Sequence, residues 1–278
     1  MNPQKRRIFV IIVHYGEQKQ LQQAIKSLLQ GTVAPGTIIV VNHSGEQPKN
    51  PYDSRVRWVT PGSNGGYGAG INVGLGVVYS LNPSLDDIII VMNNDILVNT
   101  QTVQRINSWF SSGKIAVLGP TIQEGSQKTC STSSVHPLSG RARIGRNGKI
   151  KYLHGAFITA PYSVYLKIGG WPEKYFMYWE DVLFGLKVAK AGFPIACSPD
   201  ITVKHLRSPN RYSQASTYYR VRNGANFMEK ETPPALRLWW FVLNRLRLSY
   251  HLVFNGPNSP VTIGLWDSAR GRLGKKGI

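Results

Sequence analysis

Two uninterrupted apolar runs constrain this chain more than any other feature: Ile8-Phe9-Val10-Ile11-Ile12-Val13 near the start, and Ile88-Ile89-Ile90-Val91-Met92 further on. Neither run alternates with polar residues, so neither offers a face to solvent, and each reads as a strand buried on both sides, as in a parallel sheet. The second run gives a strand over Asp87–Met92, and further strands are expected over Thr37–Val41, Arg55–Val59 and Ile115–Gly119. Helices fit between them over Gln18–Gln30, Gly68–Ser80 and Thr100–Ser111; in the first, Leu21, Ile25, Leu28 and Leu29 share one face. A repeated β-α-β order argues for an α/β domain with a mostly parallel sheet, in which ligands bind beyond the carboxyl ends of the strands.

Ser126–Lys151 is rich in Ser, Thr, Gly and basic residues and reads as a loop or irregular hairpin. Regular structure resumes with a strand at Gly155–Ala160 and a helix near Tyr162–Ile168, stopped by Gly169-Gly170. A second helix is expected from Glu180 to Lys190, and another strand starts at Phe193–Ala196. Hydrophobic residues make up 42% of the 278 and charged residues 17%, which excludes a disordered chain and allows a full core. Cys130 and Cys197 form no CxxC and no spaced metal set, and are expected to be small core residues in a reducing compartment. The six apolar residues after Lys5-Arg6-Arg7 are too few for a signal-peptide core, and no run of about 18 apolar residues reads as a membrane span.

Lysine and arginine number 33 against 14 acids, a net charge of +19. That excess points to an anionic partner: nucleic acid, an acidic membrane surface or a phosphate-bearing substrate. The tail adds detail. Thr232-Pro233-Pro234 signals a helix start, and over Leu236–Phe254 the residues Arg237, Asn244, Arg245, Arg247 and His251 cluster within about 160° of a helical wheel. Trp239, Trp240, Val242, Leu243, Leu246, Tyr250, Val253 and Phe254 fill the rest. An aromatic-rich basic helix of this kind lies in a membrane interface; the alternative is a helix packing its apolar face on the main domain. After Pro233 the chain carries a net +6, which favours an anionic leaflet.

With so few acids, each one beside an apolar run is informative. Asp95 follows the strand that ends Met92-Asn93-Asn94, placing amides and a carboxylate at the ligand edge of the sheet, where they suit a ligand and a cation; an Asx turn capping the next helix is the plainer reading. Glu180-Asp181 follows the aromatic run Tyr175-Phe176-Met177-Tyr178-Trp179 and opens a helix. The pair either complements the helix dipole or supplies a general base. His205 lies at a strand end, and His154 precedes Gly155. The glycine-dense stretch Asn64–Gly74 lacks GxGxxG spacing; it reads as backbone brought close to something such as a nucleotide, or as a tight turn into a small-residue helix.

In this order and spacing, Val10–Tyr15, Asn64–Gly74, Met92–Asp95, Gly169–Gly192, Pro199–His205, Tyr218–Asn223 and Gly264–Lys275 resemble glycosyltransferase family 2, closest to its bacterial rhamnosyltransferase branch. The resemblance covers about Ile8 to Asn226 and implies the GT-A fold, Rossmann-like, with a mostly parallel sheet flanked by helices and here a C-terminal amphipathic helical extension. It implies a GT-A domain over 1–231 and a membrane-associating segment over 232–278. Asp95 matches the metal-binding acid of the family's DxD motif, with Asn93 at the position that is often Asp. Asp181 matches the catalytic base, beside Glu180, and His205 a position that can complete the metal and diphosphate site. Tyr15 and Asn72 fall where the nucleotide is contacted, and Asn64 is grouped with them. The family's base-reading Asp is absent: the sequence there is Val41-Asn42-His43-Ser44, so Asn42 or Ser44 has to substitute, and Leu183 replaces a frequent second acid.

The resemblance therefore implies a metal-dependent inverting glycosyltransferase using Mg2+ or Mn2+. It would move a sugar, with rhamnose from dTDP-rhamnose as the first choice, from a nucleotide-sugar donor to a lipid-linked or oligosaccharide acceptor in cell-surface polysaccharide synthesis. Transfer of galactose, galactofuranose or N-acetylglucosamine is the nearest alternative. The implied location is cytoplasmic, peripheral on the inner face of an anionic membrane. A non-enzymatic nucleic-acid-binding protein is disfavoured because no basic groove-binding element is visible, and a catalytically dead scaffold because Asp95, Asp181 and His205 are all present.

Overall fold

The computed structural model describes residues 6–44, 53–112, 116–144, 148, 150–206 and 213–277. In chain order its elements are β1 (Ile8–His14), α1 (Gln18–Leu29), β2 (Thr37–Asn42), β3 (Val56–Val59), α2 (Tyr67–Ser80), β4 (Ile88–Asn93), β5 (Ile96–Val98) and α3 (Thr102–Ser111). There follow β6 (Val117–Glu124), β7 (Gln127–Cys130), β8 (Thr132–Val135), β9 (Ala142–Ile144), β10 (Ile150–Leu153), β11 (Phe157–Pro161), α4 (Tyr162–Ile168), α5 (Glu180–Lys190) and β12 (Ile195–His205). The chain ends in α6 (Gln214–Glu231), α7 (Pro234–Asn255) and α8 (Pro260–Ala269).

The two apolar runs are neighbouring central strands. The sheet order is β3-β2-β1-β4-β11-β6-β12-β5, with β7 also on β6. β1 pairs in parallel with β2 and β4, β2 with β3, and β6 with β12, while β11 and β5 run antiparallel to their neighbours. Successive residues feed opposite layers. Val10, Ile12, Ile90 and Met92 pack on α1 and α3 through Leu21, Ile25, Val103 and Ile106. Ile11, Val13, Ile89 and Val91 pack on the other face with Ile71 of α2, Val164 of α4 and Phe184 of α5.

Helix α2 explains the glycine density. A Cβ on Gly74 would sit 2.5 Å from Ile11 Cγ2, and one on Gly70 2.8 Å from Val13 Cγ1, so these glycines let the helix lie directly on β1. Gly66, at φ +97°, and Gly68 abut the backbone carbonyls of Phe176 and Pro172. The close approach is therefore to the chain's own 172–176 segment. Gly76 on the same helix faces open space. Gly74→Ala is expected to cost about 1–3 kcal/mol by overpacking, whereas Gly76→Ala should stabilise by about 0.5–1 kcal/mol. Paired thermal melts of the two variants, shifting in opposite directions, check this seam.

The structure corrects three expectations. Ser126–Lys151 is not a loop: its described residues hold β7, paired with β6, and the antiparallel sheet β10-β8-β9. These strands are three or four residues long, and buried Ser133 and Ser134 are polar, so no apolar alternation marks them. β12 runs through Ile195–His205 as one strand with a register shift between Ser198 and Thr202, where the sequence shows a start alone. Cys130 and Cys197 are not separate core thiols but a disulfide, with Cα atoms 6.2 Å apart. β7 and β12 both pair with β6, Cys197 opposite Gly119 and Cys130 opposite Thr121.

The tail folds back on the domain. α7 and α8 pack on α6, with Trp240, Asn244 and Leu248 of α7 buried. Arg237 and Arg245 of the polar arc are engaged there as well: Arg237 donates to the Thr232 carbonyl at 2.7 Å and Arg245 pairs with Glu229 at 3.2 Å. The other face is bare: Leu238, Trp239, Phe241, Val242, Leu246, Tyr250, Val253 and Phe254 are exposed. No helix among the described residues is long and apolar enough to cross a membrane.

Candidate active site

A cleft of about 600 Å³ opens where β1 and β4 end. Tyr15, Asn64, Asn93, Glu180 and Asp181 of the sequence expectation line it. Asn42, Asn72, Asp95 and His205 do not. Asn42 is buried and its Oδ1 accepts the Ser44 amide at 3.0 Å, shaping the turn after β2. Asn72 is committed to the chain itself: its Oδ1 accepts Trp171 N at 2.7 Å, and its Nδ2 donates to the Trp171 carbonyl at 2.9 Å. It fastens α2 to the turn after α4.

The carboxylates are held by an unusual turn. Tyr178 and Trp179 have φ of +64° and +72°, a strained conformation for non-glycine residues that persists only where the surroundings impose it. Buried Asn223 of α6 imposes it, donating from Nδ2 to the carbonyls of Met177 at 2.8 Å and Tyr178 at 3.0 Å. Gly224 beside it leaves room for the Trp179 indole; a Cβ there would come within 2.7 Å of the ring. Helix α5 then starts with Glu180 and Asp181 in its first turn. Asp181 Oδ2 accepts Gly155 N at 3.1 Å and Oδ1 accepts Val182 N at 2.8 Å. Tyr67 closes the frame by donating to the Gly155 carbonyl at 2.8 Å.

Burial raises the Asp181 carboxyl above its ordinary value, against the opposing charge of His154 and the backbone donors. Burial and then the charge of Asp181 raise Glu180 further, and its Oε2 is buried without a partner. Two adjacent acids with elevated affinity for protons, in a cleft, are equipped for proton transfer.

Asp95 follows Asn93 and Asn94 at the end of β4. Its Oδ2 lies 3.3 Å from His205 Nε2, and His205 Nδ1 lies 2.9 Å from Glu124 Oε1. Burial opposes protonation of His205, but Asp95 and Glu124 outweigh it and hold the imidazole above its ordinary value. Both ring nitrogens are thus occupied by carboxylates, and as placed His205 is an ion-pair partner of Asp95. Asp95 Oδ1 is buried with no hydrogen-bond partner, an anionic oxygen free for a cation. No group of three or more His, Cys, Asp and Glu among the described residues is arranged to hold a metal. A cation here would rely on Asp95 and on substrate phosphates, as Mg2+ sites commonly do.

Sequence reasoning missed the cationic side of the cleft. His43, Tyr219, Arg220, Lys275 and Lys276 line it. The two lysines arrive from the far end of the chain because buried Arg222 of α6 donates to the carbonyls of Leu273 at 2.5 Å and Gly274 at 2.8 Å, and Tyr219 Oη accepts Lys276 N at 2.9 Å. The matched stretches Tyr218–Asn223 and Gly264–Lys275 carried this signal as a pair. Burial and then the charge of Lys275 lower the His43 imidazole, so the turn after β2 presents a neutral ring to the cleft near neutral pH.

Known proteins place this arrangement. The fold superposes on GalNAc-T7 with UDP, GalNAc and Mn2+ at a TM-score of 0.63 and 12% identity, over 81% of this chain and 48% of that one, about half its length. It superposes on the S. aureus TarS 1–349 complex with UDP-GlcNAc at 0.59 and 15%, over 95% and 81%. The mannosyltransferase PcManGT from Pyrobaculum calidifontis, with GDP-Man and Mn2+, gives 0.56 and 14%, over 97% and 88%. In sequence, the chain is 23% identical over 221 residues to the low-salt glycan biosynthesis hexosyltransferase Agl10 of Haloferax volcanii, covering 75% of this chain and 70% of that protein. It is equally similar, over 233 residues, to the N-acetylglucosaminyl-diphospho-decaprenol L-rhamnosyltransferase of Mycobacterium tuberculosis, covering 70% and 75%. Residues 3–226 match the family described as glycosyltransferase like family 2, and with a GT-A fold around its cleft the chain belongs to that family.

Proposed function

We propose that this chain is an inverting glycosyltransferase that moves a sugar, with rhamnose from dTDP-rhamnose as first choice, onto a hydroxyl of a lipid-linked glycan. The observation that carries the reading is the cleft itself: part-buried Asp181 on one side and Lys275, Lys276 and Arg220 on the other, with Asp95 and its unpartnered oxygen next in the chain to Asn94, which lines it. Asp181 accepts the proton of the acceptor hydroxyl as its oxygen attacks the anomeric carbon. The bond to the nucleoside diphosphate breaks in the same displacement, so the anomeric configuration inverts. Asp95, flanked by Asn93 and Asn94, would hold Mg2+ or Mn2+, which when bound neutralises charge on the diphosphate. Lys275 and Arg220 add fixed positive charge, Lys276 being paired with Asp267 at 2.6 Å, and Tyr15 and Asn64 line the nucleotide end. The lipid-linked acceptor rests on the diphospho-decaprenol relative. Incubation with a panel of nucleotide sugars and a prenyl-diphosphate-linked N-acetylglucosamine tests it. One donor should be consumed with a product of inverted configuration; turnover of galactose or N-acetylglucosamine donors alone would replace rhamnose.

The bare face of α7 supports attachment to an anionic membrane. Eight large apolar residues are exposed on one helix, and the polar arc expected to meet headgroups is turned toward the protein. The contact is thus predominantly apolar, flanked by the tail's net positive charge. Leu246→Glu with Phe254→Glu is expected to abolish co-sedimentation with phosphatidylglycerol vesicles without lowering the melting temperature. Unchanged pelleting of this double variant would remove the face from the reading. The inner leaflet of the cytoplasmic membrane is the proposed location. The Cys130–Cys197 disulfide argues the other way on compartment, since disulfides persist in oxidising surroundings; thiol labelling in intact cells decides between them.

A further inference from the structure

A second cavity, of about 410 Å³, lies between α6 and α7. Its walls are Trp179, Val221, Ala225, Met228, Trp240 and Leu243, with Arg220 and Arg247 on its lining. Arg220 and the Tyr178-Trp179 turn also border the catalytic cleft, with Arg220 over the Tyr178 ring at 4.5 Å. The cavity thus reaches from the turn that presents Glu180 and Asp181 to the helix whose outer face is bare and apolar.

Its arginines stand apart from their neighbours. Arg245 pairs with Glu229, and Arg222 is spent on backbone carbonyls. Arg247 is half-buried, and its hydrogen-bond partner is the neutral Asn244 Oδ1 at 2.9 Å; among the described residues it has no carboxylate. Burial alone lowers its affinity for the proton, the mark of a desolvated cation without a counter-charge. A guanidinium in this state recruits an anion, and a phosphate matches its fork of donors. The aliphatic and indole walls suit an apolar chain attached to that anion.

We propose that this cavity binds the diphosphate of the lipid-linked acceptor, held by Arg247 with Arg220, its first prenyl units resting on Trp240 and Leu243 and the remainder passing over α7 into the membrane. This rests on the lipid-linked acceptor reading above and adds where the acceptor is held. In that pose the sugar beyond the diphosphate points past Trp179 to Asp181. Acceptor selectivity then resides between α6 and α7, with Arg220 shared between this cavity and the donor cleft.

The probe is farnesyl diphosphate, titrated calorimetrically into the full chain saturated with a nucleoside diphosphate so that the donor cleft is filled. Wild type should bind it more tightly than farnesol or inorganic diphosphate. Arg247→Gln should weaken it about 10- to 100-fold, the effect of losing a charged hydrogen bond, with Arg247→Lys in between. In transfer assays the same variant should raise the KM for a prenyl-diphosphate-linked acceptor and leave the donor KM in place. Equal affinity in wild type and Arg247→Gln overturns the proposal, as does complete displacement of the probe by nucleoside diphosphate. Loss of phosphatidylglycerol vesicle binding in parallel with loss of probe binding also overturns it, since the cavity is then a seat for bulk headgroups. If wild type transfers to the lipid-linked acceptor and Arg247→Gln shows the same acceptor KM, the cavity assignment alone fails. If wild type ignores every lipid-linked acceptor while the probe still depends on Arg247, the acceptor reading fails and the prenyl-diphosphate site remains.

Discussion

Asp181→Asn is expected to lower transfer by about 10²- to 10⁴-fold, the usual contribution of a general base. The rate falls because the amide cannot accept the acceptor's proton; its one oxygen can accept from Gly155 N or from Val182 N but not from both. The folded state holds this carboxyl above its ordinary value by burial. An acid whose folded value is raised favours folding less as the pH climbs from its ordinary value to the raised one, since ionising it in place costs more than ionising it in the unfolded chain. The same displacement fixes the sign of the pH profile: wild-type turnover should fall as the pH drops through the raised value. Glu180→Gln is the companion variant, because Glu180 is also buried and raised. If Glu180→Gln abolishes transfer and Asp181→Asn leaves it intact, the base is Glu180.

The central architecture was legible because its signal is local. Strands buried on both faces read as unbroken apolar runs, and β1 and β4 proved to be such strands, pairing Ile8 with Ile88 through Val13 with Asn93. α4 and α5 fall within the spans read from glycine stops and the helical period. What escaped was built on other terms. α6 buries Arg222, Asn223, Asn226 and Glu229. A helix with polar residues on its inward face shows no amphipathic stripe, so period analysis passes over it. The strands between Gln127 and Leu153 gain their place from pairing with neighbours, which no short window of sequence displays.

The site divided along the same line. Asp95, Glu180 and Asp181 stand out as scarce acids next to apolar or aromatic runs. Asn72 carries a sequence signal as strong as theirs, yet the structure spends its amide on Trp171. Lys275 and Lys276 gave no individual signal among 33 basic residues. Their position depends on a contact between α6 and a segment about 50 residues away, through Arg222. The polar arc of α7 lies where the sequence places it, but which side meets the domain depends on partners: Glu229 and the Ala225 carbonyl receive Asn244, Trp240 and Leu248 are buried beside it, and most of the apolar side is left outward.

Asp95→Asn is expected to reduce transfer by several orders of magnitude, on the scale of the several kcal/mol that cation stabilisation of a leaving group supplies. The substitution acts on two things at once. It removes the negative charge of an oxygen that is buried without a partner, and it weakens the pairing with His205, leaving that imidazole to Glu124. Glu124→Gln separates the two effects, because it breaks the same chain at its outer end and spares Asp95. If Asp95 acts through a divalent cation, Glu124→Gln should cost little, and Asp95→Asn should lose both turnover and Mn2+ binding measured by electron paramagnetic resonance. If the two variants lose activity equally and Mn2+ binding is unchanged in both, the carboxylate serves to hold His205 and β12 in place. Full activity of wild type after exhaustive chelation leads to the same conclusion by another route. The neutral amides at Asn93 and Asn94 sharpen the test: with no second carboxylate in that turn, the turn itself cannot make good the charge that Asp95 gives up.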